Sequence, residues 1–92
     1  MSVFFYQGKR VEPKTAKVIE VHDDGNRYEI RVFNEKFKGC GFSVYYLPKN
    51  WFKKTPKSGD IITTYDFCSE VVGCDLNREI QFRDTDLKEA IG

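Results

Sequence analysis

The sequence predicts a mostly β domain, and three observations predict it. Short runs rich in β-branched and aromatic residues recur along the chain. Clusters of Gly, Asn, Asp and Pro separate them. Within the clearest run, apolar and polar side chains alternate strictly.

Ser2 to Gln7 is the first such run, and Gly8-Lys9-Arg10 reads as the turn after it. Pro13 blocks helix continuation and disfavours a central strand position. Thr15 to His22 forms the next strand, with Val18, Ile19 and Val21 as its bulk. Asp23-Asp24-Gly25-Asn26 is a hairpin turn, because Gly and Asn tolerate the positive φ that tight turns require. From Arg27 to Asn34 the alternation is cleanest: Tyr28, Ile30 and Val32 share the face to be buried, Arg27, Glu29 and Arg31 the wet one. Glu35 to Gly41 is a loop. Phe42 to Leu47 is a strand with Phe42, Val44 and Tyr46 on one face and Ser43, Tyr45 and Leu47 on the other.

Pro48 ends that strand. The run to Ser58 is too irregular for a full helix, and one helical turn over Asn50 to Lys54 is expected with Asn50 as its cap. Asp60 to Phe67 is a β-branched strand. Val71-Val72 and Glu79 to Arg83 flank Asp75-Leu76-Asn77-Arg78, read as a hairpin turn. At the tail the period changes. Asp86 with Glu89 resembles a capping box, and Leu87, Ala90 and Ile91 fall at helical spacing, which predicts a short C-terminal helix docked on the sheet. Five to seven short strands at this length suggest a small antiparallel, partly open barrel of the OB- or SH3-like type.

At 92 residues one core is the norm, so residues 1–92 are read as a single domain. The cysteines, Cys40, Cys68 and Cys74, are odd in number and lack the tight pairs of structural zinc, which argues for small buried thiols rather than disulfides or a metal site. The N-terminus has no signal-peptide pattern, and no apolar run approaches the ~18 residues that span a bilayer. These features predict a cytoplasmic protein with no membrane partner.

The chain's net charge of +1 identifies no partner, but its distribution is uneven. Residues 36–59 carry six lysines and no acidic residue, whereas residues 60–92 carry eight acidic residues against three basic ones. The lysine-rich stretch also holds six of the chain's fourteen aromatics. Single-strand nucleic-acid binders combine a positive groove for phosphates with aromatic faces on which bases stack. The sequence therefore points to a non-enzymatic binding module for single-stranded nucleic acid, with Lys36, Lys38, Tyr45, Lys49, Trp51, Phe52, Lys53, Lys54 and Lys57 as the candidate surface. Two considerations oppose it. Buried aromatics are the common case, so Trp51 and Phe52 could instead plug the barrel's open end. The stretch also lacks Arg, whose planar fork is favoured for reading bases.

The alternative partner is a protein, in which case the chain is a small interaction or inhibitor module. It would dock through the same Trp-Phe loop, with lysines as rim, or through the acidic C-terminal third. Nothing in the sequence assembles a catalytic set. His22, the single histidine, sits at a turn, Cys40 lacks a base, and Gly39-Cys40-Gly41 lacks the strand-to-helix setting of a phosphate loop. No cofactor is expected.

Overall fold

The computed structural model describes residues 2–33 and 41–91. Among them nine strands form two antiparallel sheets. The strands are β1 (Ser2–Tyr6), β2 (Lys9–Val11), β3 (Pro13–Asp24), β4 (Arg27–Phe33), β5 (Phe42–Pro48), β6 (Ile61–Phe67), β7 (Glu70–Leu76), β8 (Glu79–Arg83) and β9 (Leu87–Ile91). The large sheet has the order β5-β4-β3-β6-β7-β8 and the small one β2-β1-β9. The large sheet is two three-strand meanders joined through β3, whose first half pairs with β6 and whose second half pairs with β4.

The sequence predicts a partly open barrel; the structure has two antiparallel sheets and no closed barrel, since among the described residues β5 and β8 are the two edges of the large sheet and no ladder joins them. The segment from Lys49 to Asp60 connects β5 to β6, with a single 3₁₀ turn at Lys49–Trp51. That turn begins one residue earlier than the sequence suggests, and Pro48, not Asn50, precedes it without a side-chain cap.

Turn chemistry fixes the hairpins. Gln7-Gly8, Cys68-Ser69 and Asn77-Arg78 each take positive φ at both positions, the signature of the two-residue turn whose twist matches the flanking strands. The first turn is thus one residue earlier than read from Gly8-Lys9-Arg10, and Lys9 and Arg10 lie in β2. In the same way Asp75 and Leu76 belong to β7, leaving only Asn77 and Arg78 in the turn. Pro13 does enter a central strand, but as the first residue of β3, where its missing N–H costs the sheet least.

The predicted terminal helix is a strand. All five residues of β9 pair with β1, from Ser2 opposite Ile91 to Tyr6 opposite Leu87. A helix of five or six residues is marginal in water, whereas β1 offers a complete free edge. The Asp86 N–H is bonded to the Asp84 carboxylate and the Leu87 N–H to the Asp84 carbonyl, so Asp86 lies in a turn, while Glu89, the other capping-box residue, lies in β9 and pairs with Arg83.

Two apolar clusters hold the layers. Val18, Ile30, Val32, Leu47, Ile62, Cys74 and Leu76 form the larger, on the inner face of the large sheet. A β-bulge between Val18 and Glu20 lets Val18 and Val21, three apart in sequence, both face it. Phe4, Val11, Tyr65, Val72 and Leu87 form the smaller cluster, between the two sheets. Gly73 permits that second contact, since a Cβ there would lie 3.0 Å from the Phe82 carbonyl oxygen and 3.1 Å from Leu87.

A polar cluster spans the same junction. Tyr65 donates to Asp75 Oδ2 at 2.6 Å, Arg83 donates to the same oxygen at 2.9 Å, and the other guanidinium nitrogen reaches Glu89 on β9 at 3.2 Å. Burial and the Asp75 hydrogen bond push the Tyr65 hydroxyl up to about 12, and burial pushes the Cys74 thiol up to about 12. Among the described residues, no helix is long and apolar enough to cross a membrane.

Candidate binding surfaces

Two surfaces combine aromatic side chains with charge: the Lys49–Lys57 segment and the outer face of β4 and β5.

The first is the one the sequence singles out, and the structure ties it to the fold. Trp51 is half-buried and stacks on Phe82 of β8, with ring centroids 4.1 Å apart and planes 11° from parallel. Phe52 is half-buried and meets Tyr28 edge-on at 5.5 Å. Both rings pack against the larger core, where they cover its end between β5 and β8. The buried Gln81 side chain then accepts the backbone N–H of Lys53 at 2.9 Å and of Lys54 at 3.3 Å, which pins the segment to β8.

Its charge is partly neutralised. Lys49 pairs with Asp23 at 2.7 Å, which raises the lysine above its ordinary range and holds the Asp23 carboxyl below the usual carboxylate range. Lys54 pairs with Glu79 at 3.3 Å. The side chains of Lys53 and Lys57 are exposed, with no carboxylate in ion-pair distance among the described residues. Tyr45 is half-buried on the inner face and packs on the core. Lys36 and Lys38 lie outside the described residues. The candidate residues therefore divide: Trp51, Phe52 and Tyr45 are packing groups, while Lys53 and Lys57 have no ion-pair partner among the described residues.

Four of the eight acidic residues of the C-terminal third are in ion pairs among the described residues. Asp75 and Glu89 hold Arg83, Glu79 holds Lys54, and Asp66 holds Lys14 at 3.2 Å.

The second surface is the one sequence reasoning passed over. In the β4–β5 register Phe33 lies opposite Phe42, Arg31 opposite Val44 and Glu29 opposite Tyr46, all on the face away from the core. Phe42 is 69% exposed, Tyr46 52%, Val44 44% and Phe33 41%. Phe33 and Phe42 pack edge to face at 6.0 Å. The Arg27 guanidinium lies 4.4 Å over the Tyr46 ring, and the Tyr46 hydroxyl donates to Glu29 at 3.5 Å. Arg31 lies between Glu20 at 3.6 Å and Glu29 at 3.8 Å, so the charges around the patch are mixed in sign. Ile19, the extra residue of the β3 bulge, joins Phe42 and Val44 in a shallow open groove.

The backbone of β5 adds to this surface. The two-residue turn at Gly25-Asn26 makes Asp24 and Arg27 a closing hydrogen-bonded pair, and alternation from there aims Tyr28, Ile30 and Val32 backbone groups at β5. The Lys49 N–H bond to the Asn26 carbonyl, 3.0 Å, has the same phase. Ser43, Tyr45 and Leu47 therefore bond to β4, and Phe42, Val44 and Tyr46 direct their N–H and C=O groups to the free edge. Pro48, whose nitrogen has no proton, falls in the outward set, which explains why the strand tolerates it.

Of the three cysteines, Cys68 is exposed and Cys74 buried, both free thiols, and Cys40 lies outside the described residues. His22 is exposed, with Glu20 at 3.4 Å. Comparison with protein-family models, curated proteins and solved structures finds no match to this chain.

Proposed function

We propose that the protein is a non-enzymatic protein-interaction module that docks through the outer face of β4 and β5. One observation carries the reading: four large apolar side chains, Phe33, Phe42, Val44 and Tyr46, are contiguous on an edge of the large sheet and each more than two-fifths exposed. Exposed apolar surface of this kind, rimmed by charges, is the usual mark of an interaction site. Aromatic anchors at the centre and Arg27, Arg31, Glu20 and Glu29 around them match the anatomy of protein interfaces.

Single-stranded nucleic acid is the second reading. Arg27 over Tyr46 is a stacking arrangement that a base could extend, and Lys53 supplies exposed positive charge. Against it, Glu20 and Glu29 flank the same aromatics and would repel phosphates.

Site-specific photo-crosslinking separates the two. A photoactivatable side chain is placed at Val44, at Lys53, or at Glu70 as a control, and the protein is irradiated in cell extract. The proposal expects nuclease-resistant protein adducts from position 44 well above those from 53 and 70. Adducts concentrated at position 53, or adducts that nuclease removes, would overturn it.

A further inference from the structure

We infer that the partner of this surface is a second copy of the chain, joined through antiparallel pairing of the two β5 edges; this rests on the docking reading above. The large sheet would then continue from one protomer into its partner.

The four sheet edges differ in how they resist such pairing. β2 is three residues long and carries Lys9 and Arg10. β9 carries Lys88 and Glu89. β8 begins with Glu79 and ends with Arg83, and the Lys53–Lys54 backbone is bonded to its central Gln81. Short length, charge and cover are the devices that keep edges apart. β5 is neither short nor charged, nothing among the described residues covers its edge, and its one proline, Pro48, stands at its last position. Its seven residues, FSVYYLP, include no charge, and among the described residues no strand pairs with its outer side.

The edge is complementary to itself. With Val44 on a twofold axis, Phe42 stands opposite the partner's Tyr46 and Val44 opposite the partner's Val44. All of these residues aim their backbone groups outward, so each of the three free N–H groups per copy meets a carbonyl. Pro48 is left out of the ladder. On the outer face Phe42 and the partner's Tyr46 form aromatic pairs twice, one of the cross-strand combinations that stabilise sheets.

Charge favours a like partner. The rim pairs Arg27 and Arg31 with Glu20 and Glu29, and the whole chain is only +1, so two copies meet without net repulsion. A strongly acidic or basic partner would meet both signs at once. Area sets the strength. At ~200 Å² per aromatic side chain, the 69% of Phe42 and 52% of Tyr46 open to solvent come to roughly 240 Å² per copy. With Val44 and the strand backbone the contact remains well below the ~1,600 Å² of a standard interface. The dimer is therefore weak and concentration-dependent.

Sedimentation equilibrium of the purified chain, from low micromolar to near-millimolar, tests this. A monomer–dimer equilibrium with micromolar Kd is expected. Val44→Pro removes one outward N–H without touching a β4 bond, and Val44→Lys puts a charge on the wet face. Each is expected to weaken the dimer at least about tenfold with an unchanged circular dichroism spectrum. Ile80→Lys, on the β8 edge, should leave it unchanged. Should the proline variant misfold, the lysine variant alone decides. A wild-type chain that stays monomeric throughout overturns the second copy as partner, and so does a dimer that Ile80→Lys breaks and Val44→Lys does not. Photo-crosslinks from Val44 to a different protein, beside a monomeric chain, would overturn the dimer and keep the docking reading.

Discussion

The Lys49–Lys57 segment and the outer face of β4–β5 have similar ingredients, aromatic rings beside cations, yet they have opposite structural roles. In the first, Trp51 and Phe52 pack inward and the backbone is bonded to Gln81. In the second, Phe42 and Tyr46 stand in solvent on a strand already fully paired along its other side. The difference shows that aromatic-plus-lysine composition does not by itself identify a binding surface. A segment that crosses the open end of a curled sheet must cover the core there, and its aromatics are used for that. A strand's outer face has no such duty, so apolar residues there are surplus to stability.

The largest effect should come from truncating one aromatic in each region. Trp51→Ala is expected to cost about 2–3 kcal/mol, below the range for fully buried aromatics because Trp51 is half-buried. Phe42→Ala should stay within about 0.5 kcal/mol. Urea denaturation of the two variants checks this, and equal losses would erase the distinction between the regions.

Gln81→Leu sharpens the comparison from below. It keeps the volume but strands the Lys53 and Lys54 N–H groups, for an expected loss of about 1–3 kcal/mol. Hydrogen exchange should quicken at those two amides and not at Val44. Unchanged protection at residues 53 and 54 would show that the segment is held by its rings alone.

Alkaline titration asks whether both regions belong to one cooperative unit. Tyr65 and Cys74 have folded values near 12, above their ordinary 10.0 and 9.0. Folding therefore holds protons that the unfolded chain releases, and stability falls as pH rises. The contribution is intact below about pH 9, declines from there and is lost by about 12. Trp51 fluorescence and the Phe42 ring resonances should report the same urea midpoint at each pH, and Tyr65→Phe should flatten the decline. Separate midpoints would mean that the two regions unfold independently.

The smallest effect is electrostatic. Lys49→Met removes the partner that holds Asp23 below the usual carboxylate range. The Asp23 carboxyl, followed by NMR, should titrate at higher pH in the variant, while the Tyr46 ring resonances stay in place. An unmoved Asp23 would mean that the Lys49 pairing is not formed in solution.

Local pattern was enough to read most strands. The alternation of Tyr28, Ile30 and Val32 specified both β4 and its buried face, because a one-residue slip would expose the whole set. The same alternation already placed Phe33 in phase with Glu29 and Arg31, which was the available sign of an exposed aromatic. Other features had no local signature. In β5 both faces are apolar, and only pairing with β4 decided that Leu47 and Tyr45 turn in while Phe42, Val44 and Tyr46 turn out. Residues 87–91 carry a helical spacing, but the free edge of β1 supplied five residue pairings that an isolated short helix could not match. Trp51 shows the limit most clearly. The sequence determines that a tryptophan stands among lysines, and the position of Phe82, thirty-one residues later on another strand, determines that its ring is covered. Period and turn chemistry are properties of neighbouring residues, so the sequence alone decides them. Exposure depends on which distant strand arrives opposite, and that is decided only when the sheet curls and its two meanders meet.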